Sequence, residues 1–173
     1  MKMRNSNSTK LSGFTLIETL IYAVMVSMTI GFVLAVVYQL IESRYRSLAR
    51  TEVEEETNFL IRKIAWALSG ISAINEPAPN ATSTSLSVNK VNFSPNPVVI
   101  QAFLSKAIVR YGSGSTSTLN SDSVAVRQLL FEQVGSSSNP GVKVTLTTEF
   151  IPRGQLTIYN ATSLIQTTIY VRK

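Results

Sequence analysis

The carboxylate of Glu18 is the group in this chain that most needs a chemical explanation. It stands at the head of residues 19–41, a run of 23 consecutive uncharged residues. As a helix rising about 1.5 Å per residue, that run spans roughly 35 Å, against a bilayer hydrocarbon layer of about 30 Å. An acid inside a spanning segment costs about 2.5 kcal/mol or more at the centre and less near an end, so it requires a partner. The nearest cation would be a chain terminus at Phe14, four residues earlier, if the preceding residues were removed. Elsewhere the chain offers little reactive chemistry. It has no cysteine and no histidine, which excludes disulfides, thiolate or imidazole metal sites, and Ser/His/Asp or Cys/His catalysis. Glu76, Asp122, Glu132 and Glu149 are far apart in sequence and form no paired-carboxylate motif. The stretch from Gly112 to Thr118 lacks the Lys-Ser/Thr ending of a phosphate-binding loop and reads as a flexible surface loop. The expectation is a protein that is not an enzyme and carries neither cofactor nor metal.

The elements that position Glu18 follow from counting. A secretory signal peptide has an apolar core of about 7 to 15 residues ending at a small-x-small site. Here the run is longer, and residues 41–46 offer no such site. A buried helix of a soluble protein does not fit the length, nor the all-round apolarity of residues 30–37. A retained membrane helix is predicted. Lys2, Arg4 and Lys10 precede it and Arg44, Arg46 and Arg50 follow it, so the positive-inside rule is close to a tie. Gly31 within it reads as a soft point or a close helix contact. No proline occurs before Pro77, so nothing forces the helix to stop at the membrane surface. Continued to about Gly70, it would be roughly 85 Å long. Leu60, Ile64, Ala67, Leu68 and Ile71 recur at helical spacing and would face a sheet. Trp66 falls roughly opposite, where it either packs at an edge or meets a neighbouring subunit.

After Gly70 the period changes to alternation. Pro77, Pro79 and residues 80–85 read as a loop. Strand-like runs follow at residues 86–88, 91–93, 98–104, 107–111, 124–131, 142–150, 156–159 and 164–171, separated by Gly, Ser, Pro and Asn. An antiparallel sheet of about five to seven strands over the amphipathic half-helix is the economical reading. Asn80-Ala81-Thr82 and Asn160-Ala161-Thr162 match the N-glycosylation pattern, which reads as coincidence.

The segment Lys10-Leu11-Ser12-Gly13-Phe14-Thr15-Leu16-Ile17-Glu18 resembles the prepilin signature shared by type IV pilins, type II secretion pseudopilins and competence pseudopilins. The resemblance covers about the first 40 residues and rests on a specific motif. It implies that a prepilin peptidase cuts between Gly13 and Phe14 on the cytoplasmic side and methylates the new amine of Phe14. Glu18 would then pair with the N-terminal amine of a neighbouring subunit during assembly. An unpaired carboxylate in lipid is unfavourable, and docking beside an ammonium removes that penalty. Gly13 suits a cleavage site because its bare backbone admits close approach. The implied organisation is a leader over residues 1–13, a transmembrane and filament-core helix over 14–41, its amphipathic continuation over 42–71, and a β-rich domain over 72–173. The implied fold class is α+β, a long N-terminal helix packed on an antiparallel β-sheet in a pilin-like lollipop. The chain departs from many pilins in lacking a disulfide, and Ala35 stands where many major pilins have a proline. A minor pilin or minor pseudopilin is the closer resemblance. The implied partners are the peptidase, other pilins or pseudopilins through the N-terminal helix, and membrane lipid before assembly. The implied location is the cytoplasmic (inner) membrane, single-pass with the C-terminal domain outside the cytoplasm, and then a pilus or pseudopilus filament.

Charge adds one further expectation and removes another. Arg44, Arg46 and Arg50 form a basic block, and Glu52, Glu54, Glu55 and Glu56 an acidic one. Their mean positions differ by about 7.6 residues, roughly 11 Å along a helix. Parallel helices shifted by that distance would set one block against the other, fixing subunit stagger. The alternative is a solvated face with intrahelical pairs such as Arg50 with Glu54. The formal charge of +6 falls to +3 without the leader, which leaves 13 basic against 10 acidic side chains. Beyond Lys63 the basic residues are scattered singly, so nucleic acid as a partner has no support from composition. Two functions stay open: a filament subunit, or a single-pass anchored β-domain that binds a ligand or substrate independently of any filament.

Overall fold

A computed structural model describes residues 13–136, 139–152 and 160–171. Residues 1–12 of the expected leader (1–13) and the strand-like run at 156–159 lie outside the described residues. The chain divides into two compact units, Met1–Ser43 and Arg44–Lys173. One helix, α1 (Leu16–Leu68, 53 residues), contributes to both.

In the first unit α1 is apolar and exposed, and it is long and apolar enough to cross a membrane. Several of its hydroxyls bond within the helix. The hydroxyls of Ser27 and Thr29 donate to the carbonyls of Ala23 and Met25, both at 2.8 Å, as hydrophobic surroundings require.

In the second unit α1 buries a stripe made by Ala49, Val53, Thr57, Leu60, Ile64, Ala67 and Leu68. Steps of three and four residues keep these on one face. The helix ends where Gly70 adopts a left-handed conformation (φ 61°), the usual glycine stop after a last turn. Ile71, expected to prolong the helical stripe, instead opens strand β1 (Ile71–Glu76), because the left-handed Gly70 turns the chain out of the helix.

Nine strands occur among the described residues, all paired antiparallel, and they form two sheets rather than one. The others are β2 (Thr82–Ser83), β3 (Ser85–Lys90), β4 (Val98–Phe103), β5 (Lys106–Tyr111), β6 (Thr116–Thr118), β7 (Val124–Ser136), β8 (Asn139–Phe150) and β9 (Thr162–Tyr170). The sheet orders are β1-β3-β4-β5-β6 and β2-β7-β8-β9. Alternation selects the buried faces: Leu86 and Val88 of β3, Ala107 and Val109 of β5, and Val142, Val144 and Leu146 of β8. These join Leu60, Ile64, Ala67 and Leu68 in one apolar cluster fed by both sheets.

Four local expectations change. Residues 80–85, expected to be a loop, hold β2, which pairs with Phe131 and Glu132 of β7, and the first residue of β3. Residues 91–93 form a turn, with Asn92 at φ 52°, because Asn96 binds the Lys90 N–H (3.0 Å) and donates its amide to the carbonyls of Lys90 and Phe93 (2.9 and 2.8 Å). The run from 98 stops at Phe103, since Leu104 and Ser105 (φ 48° and 63°) form the two-residue turn of the β4–β5 hairpin. The segment expected to be a flexible loop contains β6, which pairs with β5 through Thr116, Ser117 and Thr118. Its polar residues gave no alternation to read.

Candidate functional site

The first site lies at the start of α1. Thr15 precedes the helix, and its side-chain oxygen and carbonyl both receive the Glu18 N–H, at 3.4 and 3.1 Å. Thr15 is thus the N-cap and Glu18 the third helical residue, the spacing of a capping box. That signature, Thr-x-x-Glu, is legible in the sequence beside the apolar run and the motif that single out Glu18. A carboxylate in the first turn lies at the positive end of the helix dipole. The Tyr22 hydroxyl donates to Glu18 Oε1 at 3.4 Å, and the Tyr22 ring meets Phe14 edge-on at 6.3 Å. No cation lies within ion-pair distance of Glu18 among the described residues. Among the described residues nothing lies within 4 Å of where a Gly13 Cβ would stand, and Phe14 is 73% exposed.

The second candidate is the charged stretch of α1. Arg44, Arg46, Arg50, Glu54 and Glu55 are exposed, while Glu52 and Glu56 are half-buried. Glu56 is committed within the fold: both its carboxylate oxygens accept the Ser121 N–H, at 3.1 and 3.0 Å. It holds the loop before β7 against the helix and is not available to face a neighbour. Arg46 and Glu42 also have interactions inside the chain.

The third feature is the end of α1. Lys90 Nζ donates to the carbonyl of Trp66 at 2.6 Å and to the carbonyl of Ser69. It therefore caps two carbonyls of the last turn, where a cation suits the helix dipole. The same ammonium lies 4.6 Å from the Trp66 ring centroid, a cation–π distance. Burial holds the Lys90 pKa below the usual lysine range. Trp66 packs edge-on against Phe93 and Tyr111 at 5.9 and 6.3 Å, so the indole closes the end of the core.

The acids of the β-rich part are engaged. Asp122 pairs with Lys106 (2.7 Å), Glu132 with Lys143 (3.4 Å) and Glu149 with Arg127, while Glu76 accepts the Ser83 hydroxyl at 2.5 Å. Among the described residues no group of three or more His, Cys, Asp or Glu could hold a metal ion. A cleft of about 480 Å³ lies within the second unit, lined by Ile71, Ile74, Pro79, Asn80, Gln133 and Val171 among others. Gln133 Oε1 is buried there without a hydrogen-bond partner among the described residues.

No family model, curated protein or solved structure matches the chain. One long N-terminal helix, apolar in its first half and packed in its second half on antiparallel sheet, is nonetheless a pilin-like fold.

Proposed function

We propose that the chain is a structural subunit, a minor pilin or pseudopilin, of a type IV pilus-like filament. A prepilin peptidase would remove residues 1–13 and methylate Phe14 before the helix leaves the membrane for the filament. The observation that carries the reading is Glu18: a carboxylate at the head of an exposed apolar helix, with no cation beside it among the described residues. An exposed apolar surface of this length demands lipid or other helices. A bare carboxylate beside it demands an ammonium, and the amine of a neighbouring processed chain supplies one. Its place in the first turn of α1, where the Tyr22 hydroxyl donates to Oε1, puts the carboxylate at the helix start where such an amine would arrive.

Mass spectrometry of the mature N-terminus in the producing cell tests this. N-methylated Phe14 is the expected result, and a Gly13→Leu variant should retain residues 1–13. An intact Met1 leader on the functional protein overturns the proposal. The second reading, an anchored β-domain that binds a ligand, rests on the cleft beside Gln133 Oε1. It predicts that function survives when processing is blocked.

A further inference from the structure

Each sheet has two edges, and three of the four edges are poor templates for further pairing. Strand β6 has three residues and β2 two. Strand β1 has six, with two register irregularities. Short or bulged strands are how proteins blunt a free edge. Strand β9 differs in every respect. It runs nine residues, pairs with β8 without a register shift, and contains no charge, proline or glycine. Among the described residues nothing pairs with its outer side.

The register identifies the outward groups. The Val171 N–H donates to the Pro140 carbonyl at 3.0 Å and the Phe150 N–H to the Ala161 carbonyl at 2.8 Å. Alternation along an antiparallel ladder then directs the odd-numbered residues of β9 toward β8. Thr162, Leu164, Gln166, Thr168 and Tyr170 present their N–H and C=O groups to the open side. Burial agrees that the sheet is incomplete there: Ile165 and Ile169 are half-buried, whereas their β8 partners Leu146 and Val142 are fully buried.

We infer that the open edge of β9 is a strand-pairing interface for a second copy of this chain, joined antiparallel about a two-fold axis at Gln166. The fit selects the occupant. Among the described residues the other edges are too short or too irregular to mate with nine unbroken residues, and β9 itself is the one edge of equal length. Two-fold pairing over the whole strand sets Gln166 opposite Gln166, Leu164 opposite Thr168 and Thr162 opposite Tyr170. No like charges meet, and each of five outward residues exchanges both backbone hydrogen bonds with its mate. The two four-stranded sheets become one of eight strands, with isologous contact.

Because the chain has no cysteine, single introduced thiols read the register directly. Residues in a hydrogen-bonded antiparallel pair have Cα atoms about 5.5 Å apart, within disulfide range. Two Thr162 residues related by the axis would lie about 27 Å apart at roughly 3.4 Å per residue. The full chain, purified in detergent and mildly oxidised, should form disulfide dimers at least tenfold more with Gln166→Cys than with Thr162→Cys. A mixture of Thr162→Cys and Tyr170→Cys chains should give the mixed dimer. Should either of these variants fail to melt cooperatively, the Leu164→Cys and Thr168→Cys mixture probes the same register. Equal yields at positions 166 and 162 mean random collision and overturn the inference. So does the absence of dimer at 166, or a thiol at 166 that links instead to a different protein in cell extracts. None of these outcomes depends on leader cleavage, so the test stands apart from the proposed filament role.

Discussion

At the scale of residues, the assembly role proposed for Glu18 can be tested apart from its place in the first turn of α1. Glu18→Gln keeps the side-chain shape at the start of α1 and removes the charge. The purified variant should insert in membranes and retain its helix content, while incorporation into a filament falls by an order of magnitude or more in a pull-down of assembled fibres. Unchanged incorporation would remove the assembly role. Lys90 allows a test of the other helix end. Lys90→Met retains the packed stem and loses two hydrogen bonds to terminal carbonyls, which should lower stability by about 1 kcal/mol in denaturant titration at pH 7. Burial lowers the Lys90 pKa in the folded chain, so the unfolded chain holds that proton more tightly. As pH rises through the folded value toward the ordinary lysine value of about 10.4, the parent should gain stability relative to Lys90→Met. Gln133 offers the reverse case. Its buried, unpartnered Oε1 makes Gln133→Met stabilising by about 1 kcal/mol, read as a higher Tm, because an orphaned polar atom leaves the interior.

Among elements, the seam between α1 and β8 contains a polar contact that apolar periodicity does not announce. The buried hydroxyls of Thr57 and Thr148 meet at 2.5 Å, and Thr57 also bonds the Val53 carbonyl at 2.6 Å. If Thr57 donates to Val53, the Thr148 hydroxyl is the donor between the two. Thr57→Val then strands the Thr148 hydroxyl and should cost about 1–3 kcal/mol, while the double Thr57→Val, Thr148→Val variant recovers part of that loss. A chemical-denaturation double-mutant cycle reads the coupling, and strictly additive losses would deny it. The β4–β5 turn tests backbone preference instead. Leu104 is 81% exposed and Ser105 follows it, both in the left-handed region where Asn-Gly is favoured. Replacing the pair with Asn-Gly should raise stability by about 1 kcal/mol or more, since little apolar burial is lost. The alternating strand runs were legible because one face of each sheet is buried. Strand β6 was not, because Thr-Ser-Thr is polar on both faces and is held by its register on β5.

For the whole molecule, the fold sharpens the stagger hypothesis by removing one residue from it. Glu56 binds the Ser121 N–H, so the intermolecular acidic face reduces to Glu52, Glu54 and Glu55. A variant with Arg44, Arg46 and Arg50 changed to Glu, and those three acids changed to Arg, leaves Glu56 in place. It should fold with its Tm within a few degrees of the parent yet fail to co-assemble with parent subunits. Equal co-assembly, measured by tagged incorporation, would sink the idea. Sequence alone determined the long apolar helix, the acid at its head and the α+β class, because uninterrupted apolarity, helix-compatible composition and two-residue alternation act locally along the chain. Tertiary structure decided what depends on residues distant in sequence: the division into two sheets, the aromatic closure of the core by Trp66, the commitment of Glu56 to a loop 65 residues away, and the edge of β9 left unpaired among the described residues. Those outcomes turn on which strand lies beside which, and backbone hydrogen bonding carries almost no side-chain signature by which neighbouring strands can be chosen in advance.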